Sequence, residues 1–69
     1  MFQIDMIRNG VYFRIAKVFG NLSNALAFSQ EIISCNRGDP LSISILTSQG
    51  INPLVCSWHS ENSKWVYNR

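Results

Sequence analysis

The dipeptide Asn9-Gly10 stands between two runs in which apolar and polar residues alternate, and no other pair of residues limits the folding of this chain so sharply. Both central positions of a type I′ turn require positive φ, which Asn and Gly tolerate best. Across such a two-residue turn Arg8 faces Val11, Met6 faces Phe13 and Ile4 faces Ile15. That register gathers the apolar side chains of residues 2–8 and 11–19 on one side of a hairpin, whereas a slip by one residue would scatter them over both. Turn chemistry and hydrophobic pattern therefore agree on a β-hairpin at the start of the chain.

Residues 21–35 carry the one convincing helical period. Leu22, Ala25, Leu26, Ser29, Ile32 and Ile33 recur on a single face, with Phe28 on its flank. Asn21 or Ser23 supplies the N-cap. The run 36–40, Asn-Arg-Gly-Asp-Pro, supplies a left-handed residue at Asn36 or Gly38 and a proline that cannot continue a helix. Small Ala25 and Ser29 in the middle of the apolar face let the helix sit close to a sheet. Residues 41–48 alternate strictly, Leu41, Ile43 and Ile45 against Ser42 and Ser44. After a turn at 49–52, Pro53 opens a strand in which Leu54, Cys56 and Trp58 share one face and Val55, Ser57 and His59 the other. A polar loop at 60–63 leads to the short aromatic segment 64–67. The order is ββαβββ. It predicts an α+β single domain over residues 1–69: an antiparallel sheet of four to five strands with a single helix packed on one face.

Hydrophobic residues make up 46% of the chain, enough for one core, and charged residues only 14%, against roughly 25% in an ordinary soluble domain. Nine Ser and seven Asn cover much of the surface instead. So weakly charged a surface is poorly protected against self-association, which makes a homodimer or a complex a fair expectation. A net charge of +2 falls short of the basic footprint of a dedicated nucleic-acid binder. No apolar run approaches the roughly 18 residues of a membrane-spanning helix. Asp5 and Gln3 interrupt the apolar N-terminal run, which is not the pattern of a secretory signal. The chain is expected to be cytoplasmic, without membrane contact, and with Cys35 and Cys56 reduced and buried.

Catalysis finds no foothold. His59 is the one histidine. Cys56, three residues earlier on a strand, points to the opposite face, and Ser57 shares its face only as any serine at that spacing would. Two cysteines and one histidine fall short of a structural metal site, and no glycine loop for phosphate is present. No enzyme activity, cofactor or metal is expected.

Binding surfaces remain. The sheet face opposite the helix should carry Tyr12 and Arg14, with Lys17 nearby. Either Trp65 and Tyr67, or Lys64 and Val66, should join it, depending on the register of the last strand. Aromatic and cationic groups on an open sheet are what single-stranded nucleic acid stacks on. Trp58 and Trp65 have a structural use as well, closing the ends of a small core. The last strand, at 64–67, and Ile7 and Leu46, apolar groups off the inward register, offer together with an exposed edge a place for strand addition or dimer pairing. Arg14, taken as facing solvent, should tolerate charge reversal.

From Asn21 onward the chain runs NLSNALAFSQEI, then LSISIL, a glycine turn, a further strand, a polar loop and a closing KWVYN. This layout resembles that of small phage and mobile-element proteins, in particular some type I-F anti-CRISPR inhibitors, in which one helix packs on an antiparallel sheet and the chain ends in Lys/Arg-Trp-Val. Lys64, Trp65 and Val66 match that ending. The resemblance implies an inhibitor or accessory protein that docks on a host protein assembly. Two other expectations stand beside it: a nucleic-acid-binding module using the open sheet face, and a structural subunit of a homo-oligomer. The residues expected to make contact are Tyr12, Arg14, Lys17, Trp58, Lys64, Trp65 and Tyr67.

Overall fold

A computed structural model of the chain describes residues 1–48 and 53–68. The elements are β1 (Phe2–Arg8), β2 (Val11–Arg14), α1 (Leu22–Cys35), β3 (Leu41–Thr47), β4 (Leu54–His59) and β5 (Lys64–Tyr67). They form one five-stranded sheet in the order β2-β1-β3-β4-β5, with every neighbouring pair antiparallel. The α+β class and the order ββαβββ are those read from the sequence. The turn expected at 49–52 lies outside the described residues.

The first hairpin has the predicted register: Arg8 faces Val11 and Met6 faces Phe13, and the Ile15 N–H donates to the Ile4 carbonyl at 2.9 Å. Asn9 and Gly10 take φ of 51° and 79°, the two left-handed positions of a type I′ turn. The second strand is shorter than its pattern suggests. It ends at Arg14, and the chain leaves the sheet before Phe19 pairs back onto Phe2 through two hydrogen bonds of 2.8 and 2.9 Å. Continued without interruption, the register would set Lys17 opposite Phe2 on the apolar face. The excursion substitutes Phe19, which is buried against the core, and leaves the Lys17 ammonium 5.4 Å from the centre of the Phe19 ring. A charge is thereby kept out of the core, where it would have no partner.

Helix α1 starts as expected. The Asn21 side chain accepts a hydrogen bond from the Asn24 N–H at 2.9 Å. Its end is closed differently from a simple left-handed cap at Asn36, which keeps an extended backbone while its N–H returns to the Ile33 carbonyl at 3.0 Å. Gly38, with φ of 86°, makes the reversal instead. Ala25 and Ser29 are fully buried, and the Ser29 hydroxyl donates to the Ala25 carbonyl at 2.9 Å. Serine can sit at the helix–sheet contact because its one donor is satisfied within the helix. Phe28 packs on Phe19 with ring centres 5.3 Å apart.

On the helix side, cross-strand neighbours build two lateral rows: Phe13, Met6, Ile43, Trp58, Trp65, and Ile15, Ile4, Ile45, Cys56, Tyr67. The middle of each row is buried, with Ile4, Ile43, Ile45 and Cys56 fully so. A register shift between Ile45 and Leu46 inserts one extra β4 residue, pairing Leu46 with Leu54. Val55, expected on the outer face, packs against the core as a result. Cys56 is buried as expected, but Cys35, in the last turn of α1, is exposed; both are free thiols.

A Cβ at Gly10 would meet no atom within 4 Å. Gly10→Ala therefore isolates the cost of a left-handed backbone, about 1–2 kcal/mol, measurable by urea denaturation; unchanged stability would refute the type I′ assignment. Ala25→Leu should cost about 1–3 kcal/mol by over-packing the helix against the sheet. Unaltered stability in the same assay would mean that the contact is looser than full burial of Ala25 indicates.

Candidate interaction surface

The strand registers decide which side chains face away from the helix. One outer row reads Tyr12, Ile7, Ser42, His59, Lys64; the next reads Arg14, Asp5, Ser44, Ser57, Val66. Of the two alternatives for the last strand, Lys64 and Val66 therefore lie on the open face. Trp65 and Tyr67 lie on the helix side, where Trp65 packs against the core and Trp58 is itself a core residue. The expected contact residues are thus divided among three places. Tyr12, Arg14 and Lys64 are on the open face, Trp58, Trp65 and Tyr67 on the other, and Lys17 is in the β2–α1 connection.

Arg14 is not free. Its Nε donates to Asp5 Oδ1 at 2.8 Å and its Nη2 to Oδ2 at 3.1 Å, while the Tyr12 hydroxyl donates to the same Oδ2 at 3.0 Å. Asp5 and Arg14 are directly opposite across the β1–β2 ladder. Theirs is a non-hydrogen-bonded pair, the closer of the two kinds, which brings the fork and the carboxylate into reach. Hydrogen bonding from Arg14 holds the Asp5 carboxyl below the usual carboxylate range; partial burial opposes that shift, and the Tyr12 hydrogen bond and the Arg14 charge add to it. The guanidinium is correspondingly raised, chiefly by its hydrogen bond to Asp5. The hairpin register sets these two residues opposite each other, although sequence pattern alone does not show that the Tyr12 hydroxyl joins them. Arg14→Glu would set two carboxylates opposite each other, so the tolerance expected of a solvent-facing arginine does not follow from this geometry.

Strand β2 is exposed along its whole length. On the helix side Val11 and Phe13 keep 53% and 48% of their surface, because α1 lies over β1 and β3 and does not reach them. On the open side Tyr12 and its neighbour Ile7 keep 56% and 45%. The hydrogen bond from Ile15 to Ile4 sets the alternation of the ladder: residues 11, 13 and 15 bond to β1, and the N–H and C=O of Tyr12 and Arg14 point away from the sheet. This margin combines an apolar strand with unpaired main-chain groups.

The other features offer little chemistry. Ser57 and His59 are successive residues on one strand face, about 7 Å apart and beyond hydrogen-bond reach. Burial pushes the Cys56 thiol upward in pKa, which keeps it neutral. A groove of about 820 Å³ runs past Asn36, Asp39, Trp58, His59 and Glu61. Among the described residues no three His, Cys, Asp or Glu side chains gather as a metal would need, and no helix is long and apolar enough to cross a membrane. Comparison with family models, with curated proteins and with solved structures finds no match to this chain.

Because the native pKa of Asp5 lies below its ordinary value of 3.8, the carboxylate's contribution to stability is complete above that value. It is lost as the pH falls through the depressed native pKa. Asp5→Asn should therefore flatten the acid limb of a stability–pH profile below pH 4 and leave its shape at neutral pH unchanged. An unaltered acid limb, followed by thermal unfolding, would show that Asp5 is not the group responsible.

Proposed function

We propose that this chain is a small, non-catalytic binding protein that docks on another protein through the β2 margin of its sheet. The observation that carries the reading is the exposure of β2 on both faces beside main-chain donors and acceptors that no other described strand uses. Edge strands of soluble proteins are ordinarily guarded by charge, proline or a covering element. Here the one cation of the strand, Arg14, is neutralised by Asp5, and Val11, Tyr12 and Phe13 are large and apolar. Strand addition uses such an edge, with main-chain bonds for affinity and side-chain contacts on alternate residues for selectivity.

The distribution of aromatic residues favours a protein partner over nucleic acid. A base-stacking platform needs rings and free cations on the open face. Both tryptophans are on the helix side, and the Tyr12 hydroxyl and Arg14 guanidinium are engaged with Asp5. Two free thiols suit a reducing, cytoplasmic setting. The resemblance of Lys64, Trp65 and Val66 to the ending of type I-F anti-CRISPR inhibitors makes a host CRISPR surveillance complex the first assembly on which to try inhibition.

Selection of displayed extended peptides on the immobilised protein tests the reading. Enriched sequences should alternate apolar residues, and their binding should fall at least tenfold with Tyr12→Pro, which removes an outward N–H. Failure to enrich any peptide would overturn docking at this margin. Titration with oligo-dT at low salt should show no binding; affinity that falls steeply with salt would replace this reading with nucleic-acid recognition.

A further inference from the structure

The same edge is self-complementary. We infer that β2 pairs antiparallel with β2 of a second copy about a two-fold axis at Phe13, joining two five-stranded sheets into one. This rests on the reading of β2 as the docking margin and names its occupant when no other strand is supplied.

Three registers place the outward groups of two β2 strands against each other. Centred on Tyr12, pairing would set Arg14 against Gly10, inside the turn. Centred on Arg14, it would bring two guanidinium groups together. Centred on Phe13, Tyr12 of each copy faces Arg14 of the other as a hydrogen-bonded pair, and the N–H and C=O of all four residues are used. That register seats each Arg14 beside a Tyr12 ring while Asp5 still balances its charge, so the seam carries no net charge to oppose association. On the helix side it sets Phe13 directly against Phe13, and Val11 against Ile15, as non-hydrogen-bonded pairs with their side chains close. Aromatic and β-branched neighbours of this kind are the favourable ones across strands, and here they cover Val11 and Phe13, which the helix leaves exposed. Beyond the seam, neither the Asn9-Gly10 turn nor the loop after Ile15 carries an unpaired charge until Lys17. The opposite edge, β5, also exposes Val66 and Tyr67, but it carries Lys64, for which no ion pair is found among the described residues, whereas Arg14 of β2 is balanced by Asp5. A seam of four-residue strands is smaller than a standard stable interface, so the dimer is one in rapid, concentration-dependent exchange.

Sedimentation from micromolar to millimolar protein should show the mass rising from monomer toward dimer, and Phe13→Lys, at a half-exposed site, should hold it at monomer. The register is read by oxidation of Phe13→Cys in a Cys35→Ser background. Two residues facing each other across the axis lie within disulfide range, so a linked dimer should form, while Val66→Cys in the same background should remain unlinked. Amide exchange at Tyr12 and Arg14 should slow at least tenfold on concentration. A mass independent of concentration, with no linkage through Phe13→Cys, would overturn self-pairing. In that event, continued binding of selected peptides would show that the margin docks other strands, and loss of peptide binding as well would remove the docking reading itself. Linkage through Val66→Cys instead of Phe13→Cys would move the dimer to the other edge and equally overturn the inference.

Discussion

One helix cannot cover five strands, and most of this molecule's particular features follow from that mismatch. Five strands spaced about 4.8 Å apart span some 19 Å between their outer axes, whereas a helix with its side chains is about 10–12 Å wide. Helix α1 lies over β1 and β3, where fully buried Ala25 and Ser29 allow close approach. The remaining strands need other solutions. On the β4 side, bulk is supplied by aromatic residues: Trp58 closes the core and Trp65, its cross-strand neighbour, packs against it. On the β2 side nothing comparable is present, and Val11 and Phe13 stay in contact with solvent.

Local departures from regular pairing serve the same apolar face. The excursion after Ile15 takes Lys17 out of the place opposite Phe2 and returns Phe19 to it. An unpaired ammonium in a core costs far more than the few hydrogen bonds a continuous strand would add. The extra residue in β4 brings Val55 against the core beside Cys56. In both places the ladder gives way to the apolar face, although in β4 the exchange sets Leu54, expected inward, opposite off-register Leu46. That ranking is expected where one domain of 69 residues has little apolar surface to spare.

The sequence reveals what depends on short-range chemistry. The Asn9-Gly10 turn and its register, the Asn21 cap, the small residues on the helix face and the alternation of β3 each have a cause within a few residues, and each is found in the structure. What it conceals depends on distance. Parity alone left two choices for β5, and only the His59–Lys64 pairing across a four-residue loop puts Lys64 outward and Trp65 inward. The Asp5–Arg14 pair was within reach of the hairpin register. Asp5 and Arg14 sum to the same value as Ile4 and Ile15, so the two side chains must be neighbours on the outer face. Their engagement with Tyr12 still required the geometry of the closer, non-hydrogen-bonded pair. Cys35, read as buried, is exposed: six residues on from fully buried Ser29, at about 100° per residue, it falls off the face that α1 turns to the sheet.

The pairing of Arg14 with Asp5 bears directly on where function can lie. A free arginine on β2 would have done two things at once: marked the open face as cationic and guarded the edge against other strands. Bound bidentately to Asp5, it does neither. The open face keeps serines at its centre and a single lysine at the β5 end, a surface with small side chains and little field. The β2 margin, by contrast, is a strip without net charge whose outward main-chain groups at Tyr12 and Arg14 pair with no other described strand, and whose apolar side chains lie on both faces. The partly buried serines of the open face cost little to leave facing water, whereas half-exposed Val11, Tyr12 and Phe13 each retain apolar surface worth roughly 25 cal/mol per Å² on burial. Apolar surface is left at both edges of the sheet, on Val66 and Tyr67 of β5 as well as on β2, but at β2 the strand's one cation is already paired with Asp5.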